Sequence, residues 1–269
     1  MTTNTITLNP KPERGWSSGL GNLFRREAYT WLRTRYGLIQ LALWIIIIDG
    51  LMAIIISTAG EDLEADQTIV AANIEPFIGI ISLFTSIGIA VVAMGAIVGE
   101  KRSGTAAWIL SAPVTRSSFL LSKLLVVGVG GIVTMILIPG VVVFLELAYM
   151  PAAVESGEIV FLPWLAALGA MSLNILFYLT LAIFLGTMLN SRGAVVGIPI
   201  GVFFAGLFLG GVLPEFVANL TPWALTSPLA MELADPARSV GSIVPVFATI
   251  GWIAALTGAA IWRFQREEF

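Results

Sequence analysis

Apolar residues fill six long stretches of this chain, separated by short polar segments. They run over about Gly37–Thr58, Phe77–Val98, Phe119–Leu147, Trp164–Leu189, Gly193–Val212 and Ile243–Trp262. About 20 apolar residues in a helix cross the roughly 30 Å hydrocarbon core of a bilayer. Each stretch reaches that length, so the pattern predicts an all-α integral membrane protein with six transmembrane helices over residues 37–269. No comparable length remains for a folded soluble domain.

The segments around the spans have patterns of their own. Residues 1–16 are polar and predict a disordered tail. In residues 17–36, Leu20, Phe24, Ala28 and Trp31 recur at helical spacing with Leu23 beside them, while Arg25, Arg26 and Arg33 fall on other faces. This predicts an amphipathic helix lying in the membrane interface; a basic flank that only sets topology is the plainer alternative. The loop 213–242 is cut by Pro214, Pro222, Pro228 and Pro236 into apolar pieces too short to span: Phe216–Leu220, Trp223–Leu225 and Leu229–Leu233. These predict small helices that dip into, or cap, the outer leaflet. Pro139 with Gly140 predicts a kink in the third span, and Pro199 one in the fifth.

Composition sharpens this picture. The chain is 57% hydrophobic and 12% charged, against about 45–50% and about 25% in soluble domains. It has no Cys and no His, which excludes disulfides, thiolate chemistry, His/Cys zinc sites and triads with a His base. There is no cleavable signal pattern in residues 1–36 and no lipidation motif, so the first span is expected to serve as signal and anchor.

The charges are sorted. With the N-terminus inside, every Lys and Arg of the 14 except Arg238 falls on the inner side. Glu61, Asp62, Glu64, Asp66, Glu75, Glu155, Glu158, Glu215, Glu232 and Asp235 fall outside. Lys and Arg near span ends set orientation, so both termini are predicted to be cytoplasmic.

Between the second and third spans lies a compact charged insert, residues 99–123. Glu100, Lys101 and Arg102 end the second span, and Ser103 is a candidate helix cap. Thr105–Ser111 then predicts two helical turns carrying Trp108, Ile109 and Leu110. Pro113 stops them. Thr115 or Ser117 is placed to cap the third span, with Arg116 at the membrane surface and Lys123 snorkelling from its first turns. A short helix centred on Trp and flanked by charge suits a docking contact, since Trp and Arg are favoured anchors.

This insert resembles the signature of the ATP-binding-cassette type-2 permease family. The resemblance rests on Gly99-Glu100, Gly104-Thr105, Pro113-x-Thr115-Arg116 and Lys123; Ala106 and Ser122 depart from the family's usual Leu and Gly. It is similar to the permeases of nitrous-oxide-reductase maturation and to small drug or peptide exporters. The resemblance implies the ABCG-like type-2 exporter architecture in the inner membrane of a prokaryote. It implies a second permease chain and two copies of a cytosolic ATPase. The coupling helix, about 104–111, would sit in a cleft of that ATPase. Glu100, Arg102, Gly104, Thr105, Trp108, Ile109, Leu110, Pro113 and Arg116 are the implied docking set. The chain has no G-x-x-x-x-G-K-[ST] loop, so ATP and Mg are expected in the partner and no cofactor here. No nucleic acid is expected among its partners.

Polar residues inside the spans are the remaining candidates. Asp49 lies near the middle of the first span, where an acid is costly and faces a cavity or a partner. It reads either as lining the export path or as a locally paired structural acid. Glu146 reads as interfacial, so no paired intramembrane carboxylates are expected. Ser82, Thr85 and Ser86 share a face of the second span, and Asn174 and Tyr178 a face of the fourth. Both faces suit a cleft lining or interhelical hydrogen bonds. Gly193, Gly197 and Gly201 recur every four residues in the fifth span and predict close helix packing, within or between subunits. The leading function is thus a permease subunit of an exporter. An ion-coupled carrier or channel built on Asp49, or a membrane-embedded enzyme, is the alternative.

Overall fold

The computed structural model describes residues 15–59, 69–149, 160–235 and 238–267. The tail up to residue 14 and residues 60–68 and 150–159, with Glu61, Asp62, Glu64, Asp66, Glu155 and Glu158, lie outside the described residues. Among the described residues the regular structure is helical throughout. Six helices are long and apolar enough to cross a membrane: Arg35–Thr58, Asn73–Arg102, Arg116–Ala148, Phe161–Met188, Arg192–Leu209 and Val244–Gln265. We number them spans 1 to 6. Span 2 is longer at both ends than its apolar run, because Asn73–Pro76 and Glu100–Arg102 continue the helix beyond it.

A separate helix, Leu20–Arg33, precedes span 1. Thr34 divides the two: its backbone is extended and its hydroxyl accepts from the Tyr36 amide at 3.2 Å, capping span 1. The inward line of this first helix is Leu23, Glu27 and Trp31, with Leu20 and Ala28 half-buried. Phe24 is exposed. The reason is electrostatic: Glu27 turns inward to meet a lysine of span 3.

Span 4 forms the centre of the bundle. Trp164, Met171, Asn174, Tyr178 and Ile183 are all buried along it. Several close approaches surround it. Phe77 of span 2 stacks on Trp164 at 4.8 Å between ring centroids. Trp164 donates its indole N–H to the Gly140 carbonyl of span 3 at 2.8 Å. Two other glycines make room for indoles. A Cβ on Gly88 would lie 2.2 Å from Trp44, and one on Gly130 would lie 2.7 Å from Trp31. Spans 5 and 6, by contrast, bury few residues in the protomer.

Spans 1, 2 and 3 each contain a widened, π-type turn: Ile45–Asp49, Gly95–Gly99 and Ile132–Leu137. The third immediately precedes Pro139. A proline ring presses on the carbonyl four residues back and lacks a donor, and a wide turn at that point relieves both. Span 5 runs as continuous helix through Pro199.

The segment between spans 5 and 6 folds back over the bundle. Its pieces are Glu215–Ala218, Pro222–Leu225, Thr226–Ala230 and Met231–Ala234. Leu225, Leu229 and Ala230 are buried, and the Trp223 ring fills the space that a side chain at Gly206 would need.

Packing at Gly88 sets up a direct test. Overfilling a packed interior costs about 1–3 kcal/mol. Gly88→Leu is therefore expected to lower the thermal midpoint of the purified protein in mild detergent. Gly169→Leu, whose added Cβ meets nothing within 4 Å, is expected to leave it unchanged. Equal midpoints for the two variants would contradict the Trp44–Gly88 contact.

Candidate functional site

The insert between spans 2 and 3 begins with a tight turn. Gly104 has φ +74°, a left-handed conformation that favours glycine. Gly104 itself is the residue at the cap position, and no side chain caps the following helix. Ser103, the expected cap, instead bonds the Glu100 carbonyl at 3.3 Å and the Thr105 hydroxyl at 2.8 Å. The left-handed turn at Gly104 leaves Ser103 one residue too early to reach the helix amides. The helix covers Thr105–Ser111 and ends where Ala112 becomes extended before Pro113.

Its two faces differ sharply. Ala106 and Ile109 are buried against the bundle, Ile109 being 4% exposed. Trp108 projects away and is 71% exposed. Arg102, Gly104 and Pro113 are exposed as well, whereas Thr105, Leu110 and Arg116 are half-buried. The docking set read from the sequence therefore divides into an outward group around Trp108 and an inward group that seats the helix.

Beneath the helix lies a network of charge. Lys123 does not snorkel to the surface; it is 1% exposed. Its Nζ lies 2.7 Å from Glu100 Oε1 and 3.0 Å from Glu27 Oε1. One ammonium thus joins the end of span 2, the start of span 3 and the N-terminal helix. The correction has a physical basis: with two carboxylates within reach, the ammonium is neutralised by charge-assisted hydrogen bonds without leaving the interior. Lys101 makes a second tie, to Glu267 at 2.6 Å and to the Gly186 carbonyl at 3.2 Å. Arg116 makes a third, donating to the Gln265 carbonyl at 2.5 Å.

The N-terminal segment is bonded into the same place. Thr115 caps span 3, accepting from the Ser118 amide at 3.2 Å. Its hydroxyl donates to the Trp16 carbonyl at 2.6 Å, and its amide donates to the Ser18 carbonyl at 3.1 Å. Gly19, at φ +83°, lets the chain pass over Val114, whose Cγ1 would lie 2.4 Å from a Cβ there. Glu27 and Lys123 are the residues that sequence reasoning left out of the site. The signal for them was present: a lysine eight residues into an apolar span, flanked in the fold by Glu-bearing helices.

A second feature lies at the other end of the bundle, where Glu75, Glu215 and Glu232 gather. A cavity of about 710 Å³ opens there between spans 2, 4 and 5 and the 213–242 segment. Ser82, Asn174 and Tyr178 line it, together with Phe203, Phe204 and Trp223. Thr85 and Ser86 do not. Thr85 bonds the Ile81 carbonyl at 2.6 Å, and Ser86 accepts from Asn174 Nδ2 at 3.5 Å. At 1.5 Å rise per residue they lie about 4.5 and 6 Å further along the helix than Ser82, outside the cavity lining, where Ser86 meets span 4.

Asp49 is also away from the cavity. It is 4% exposed, and neither carboxylate oxygen has a hydrogen-bond partner. Glu146 of span 3 interacts with it electrostatically, and Glu146 Oε2 is likewise buried without a partner. The two intramembrane carboxylates thus feel each other's charge across spans 1 and 3. They are nearly one hundred residues apart in the chain, and only the packing of span 1 on span 3 brings them together. Gly193, Gly197 and Gly201 are exposed, and a Cβ added at any of them meets nothing within 4 Å. The stripe does not pack within the protomer.

The profile of the family described as "ABC-2 family transporter protein" matches residues 64–264. The chain is also similar to the uncharacterized transmembrane protein YxlG of Bacillus subtilis (strain 168). The two are 27% identical over 197 residues, covering 72% of this chain and 74% of that protein.

The lysine bridge yields a stability prediction. Removing one partner of a buried pair strands the other, at a cost of about 3 kcal/mol or more. Lys123→Ala leaves two carboxylates facing each other and is expected to lower the thermal midpoint strongly. Glu27→Gln and Glu100→Gln singly leave one carboxylate on the ammonium, so each is expected to be mild and their combination worse than additive. Strict additivity in that double-mutant cycle would show that the bridge does not act as a unit.

Proposed function

Because this chain belongs to the ABC-2 family of transporter proteins, we propose that it is the permease subunit of an exporter driven by a separate ATPase. In this reading, two ATPase copies grip the Thr105–Ser111 helices of two permease chains from the cytoplasm. ATP and Mg are bound by the ATPase, and the N- and C-termini of this chain lie on the same side. The second permease chain covers the exposed Gly193–Gly197–Gly201 face of span 5.

The observation that carries this reading is the two-faced helix Thr105–Ser111. A helix that only closed a loop would have no reason to hold a 71% exposed indole on one face while burying the other. Trp108 offers a partner a large rigid contact, and Ala106 and Ile109 fix the helix to the bundle. The ties at Lys123, Lys101 and Arg116 then join that seat to spans 2, 3, 4 and 6 and to the N-terminal helix. A push on the helix is transmitted because nothing beneath it is free to yield separately.

One observation favours a second reading. Asp49 is a buried intramembrane acid without a hydrogen-bond partner, interacting electrostatically with the half-buried Glu146, and such acids mark ion pathways. Transport that continues in vesicles without ATP, under a proton gradient, and stops with Asp49→Asn would favour it over the ATP-driven permease.

Two substitutions on one short helix separate docking from folding. Trp108→Ala is expected to reduce co-purification of the ATPase by about thirtyfold, the effect of losing an interface anchor worth about 2 kcal/mol. It is expected to leave the thermal midpoint unchanged. Ile109→Ala is expected to lower the midpoint, at a cost of about 2 kcal/mol or more for a truncated buried side chain. Full ATPase retention and full transport in Trp108→Ala would overturn the docking assignment.

A further inference from the structure

The cavity at the acidic end has a definite chemistry. Its volume, about 710 Å³, lies within the roughly 300–1,000 Å³ typical of sites for small organic ligands. Its walls carry the rings of Tyr178, Phe203, Phe204 and Trp223. Its charged lining residues are Glu75, Glu215 and Glu232, and no Lys or Arg lines it. Glu75 and Glu215 are exposed and mark its mouth. Among the described residues neither lies within ion-pair reach of a cation. Glu232 holds the wall itself, accepting from the Gly241 amide at 2.9 Å. Arg238, the cation of this end, is engaged by Asp235 at 3.1 Å.

We propose that this cavity binds an amphipathic organic cation, a molecule with a bulky apolar body and a single delocalised or quaternary positive charge. The proposal rests on the permease reading for its role in transport, but the binding chemistry stands on the cavity alone. Carboxylates at the mouth of a low-dielectric pocket attract a cation more strongly than they would in open water. Aromatic faces add cation–π attraction and accept an apolar body. The same carboxylates repel an anion of equal shape, and a neutral lipid gains nothing from them. Ser82 and Asn174, at the floor, supply the few polar groups that orient a ligand in such a site.

Tetraphenylphosphonium and tetraphenylborate have nearly the same shape and opposite charge, which makes them the decisive pair of probes. The full chain in lipid nanodiscs, without ATPase, is dialysed to equilibrium against each ion, with empty nanodiscs subtracted. Saturable binding of the phosphonium is expected, at least about tenfold tighter than that of the borate, a difference of about 1.4 kcal/mol. The double variant Glu75→Gln/Glu215→Gln is expected to lose most of that selectivity. Gly79→Phe is expected to abolish binding, because a side chain there points into open cavity space. Equal or tighter binding of the borate, selectivity that survives in the double variant, or no saturable binding overturns the proposal. The exposed glutamates are poor candidates for misfolding, so the double variant keeps the test decisive if Gly79→Phe does not fold. Cation-selective binding in a chain that never retains an ATPase upholds the site and removes the docking reading; ATPase retention without such binding does the reverse.

Discussion

An ammonium group buried among apolar helices must be neutralised where it stands. Lys123 is in that position, and its two carboxylates come from separate helices, Glu27 from before the first span and Glu100 from the end of the second. The whole basic end of the molecule depends on this constraint. Glu27 must point inward, so the first helix turns its Leu23–Glu27–Trp31 line to span 3. Gly130 must be bare, so that Trp31 can lie flat on the same span. Glu100 must stay at the membrane boundary, and this sets where span 2 ends and where the short helix begins.

Such a bridge is weak evidence of net stability, since desolvation offsets much of the attraction. What it supplies is registry. A one-turn slip of the first helix, or of span 2, would strand a buried charge. The ties of Lys101 to Glu267 and of Arg116 to the Gln265 carbonyl impose the same requirement on the end of span 6. Phe119 stacks on Phe264 at 5.5 Å between centroids beside them. The short helix is thus seated on a floor whose parts cannot shift independently.

Much of this was legible in the sequence because membrane helices announce themselves by length and by charge sorting. The six spans, the Thr105–Ser111 helix and the Thr115 cap were each readable from runs and breakers of a few residues. What escaped was whatever depends on two distant segments meeting. Lys123 read as a snorkelling side chain because its partners are 23 and 96 residues away. Asp49 and Glu146 read as unrelated for the same reason. Ser82 was read with Thr85 and Ser86 as one face of the second span, and spacing alone could not separate the one that lines the cavity from the two that do not. The apolar stripe of the first helix, read as lying in the membrane interface, gave no sign that Glu27 would turn inward.

Span 2 connects the two ends of the molecule. Its basic end carries Glu100 and Lys101, and its opposite end carries Glu75, Gly79 and Ser82 on the cavity wall. Over 30 residues a helix is about 45 Å long, so a movement at the short helix reaches the cavity through one continuous rod. Next to Glu100 the rod has a soft place, the widened turn Gly95–Gly99, and wide turns of this kind are where helices bend or slip. Spans 1 and 3 have their own at Ile45–Asp49 and Ile132–Leu137, whereas spans 4, 5 and 6 are regular throughout their described lengths. Two of these three wide turns lie in spans that carry members of the Lys123 network, spans 2 and 3. The cavity is bounded on one side by an adjustable span and on the other by regular ones. A push on the short helix would therefore reach the cavity through span 2, with the regular spans 4 and 5 as the opposite wall.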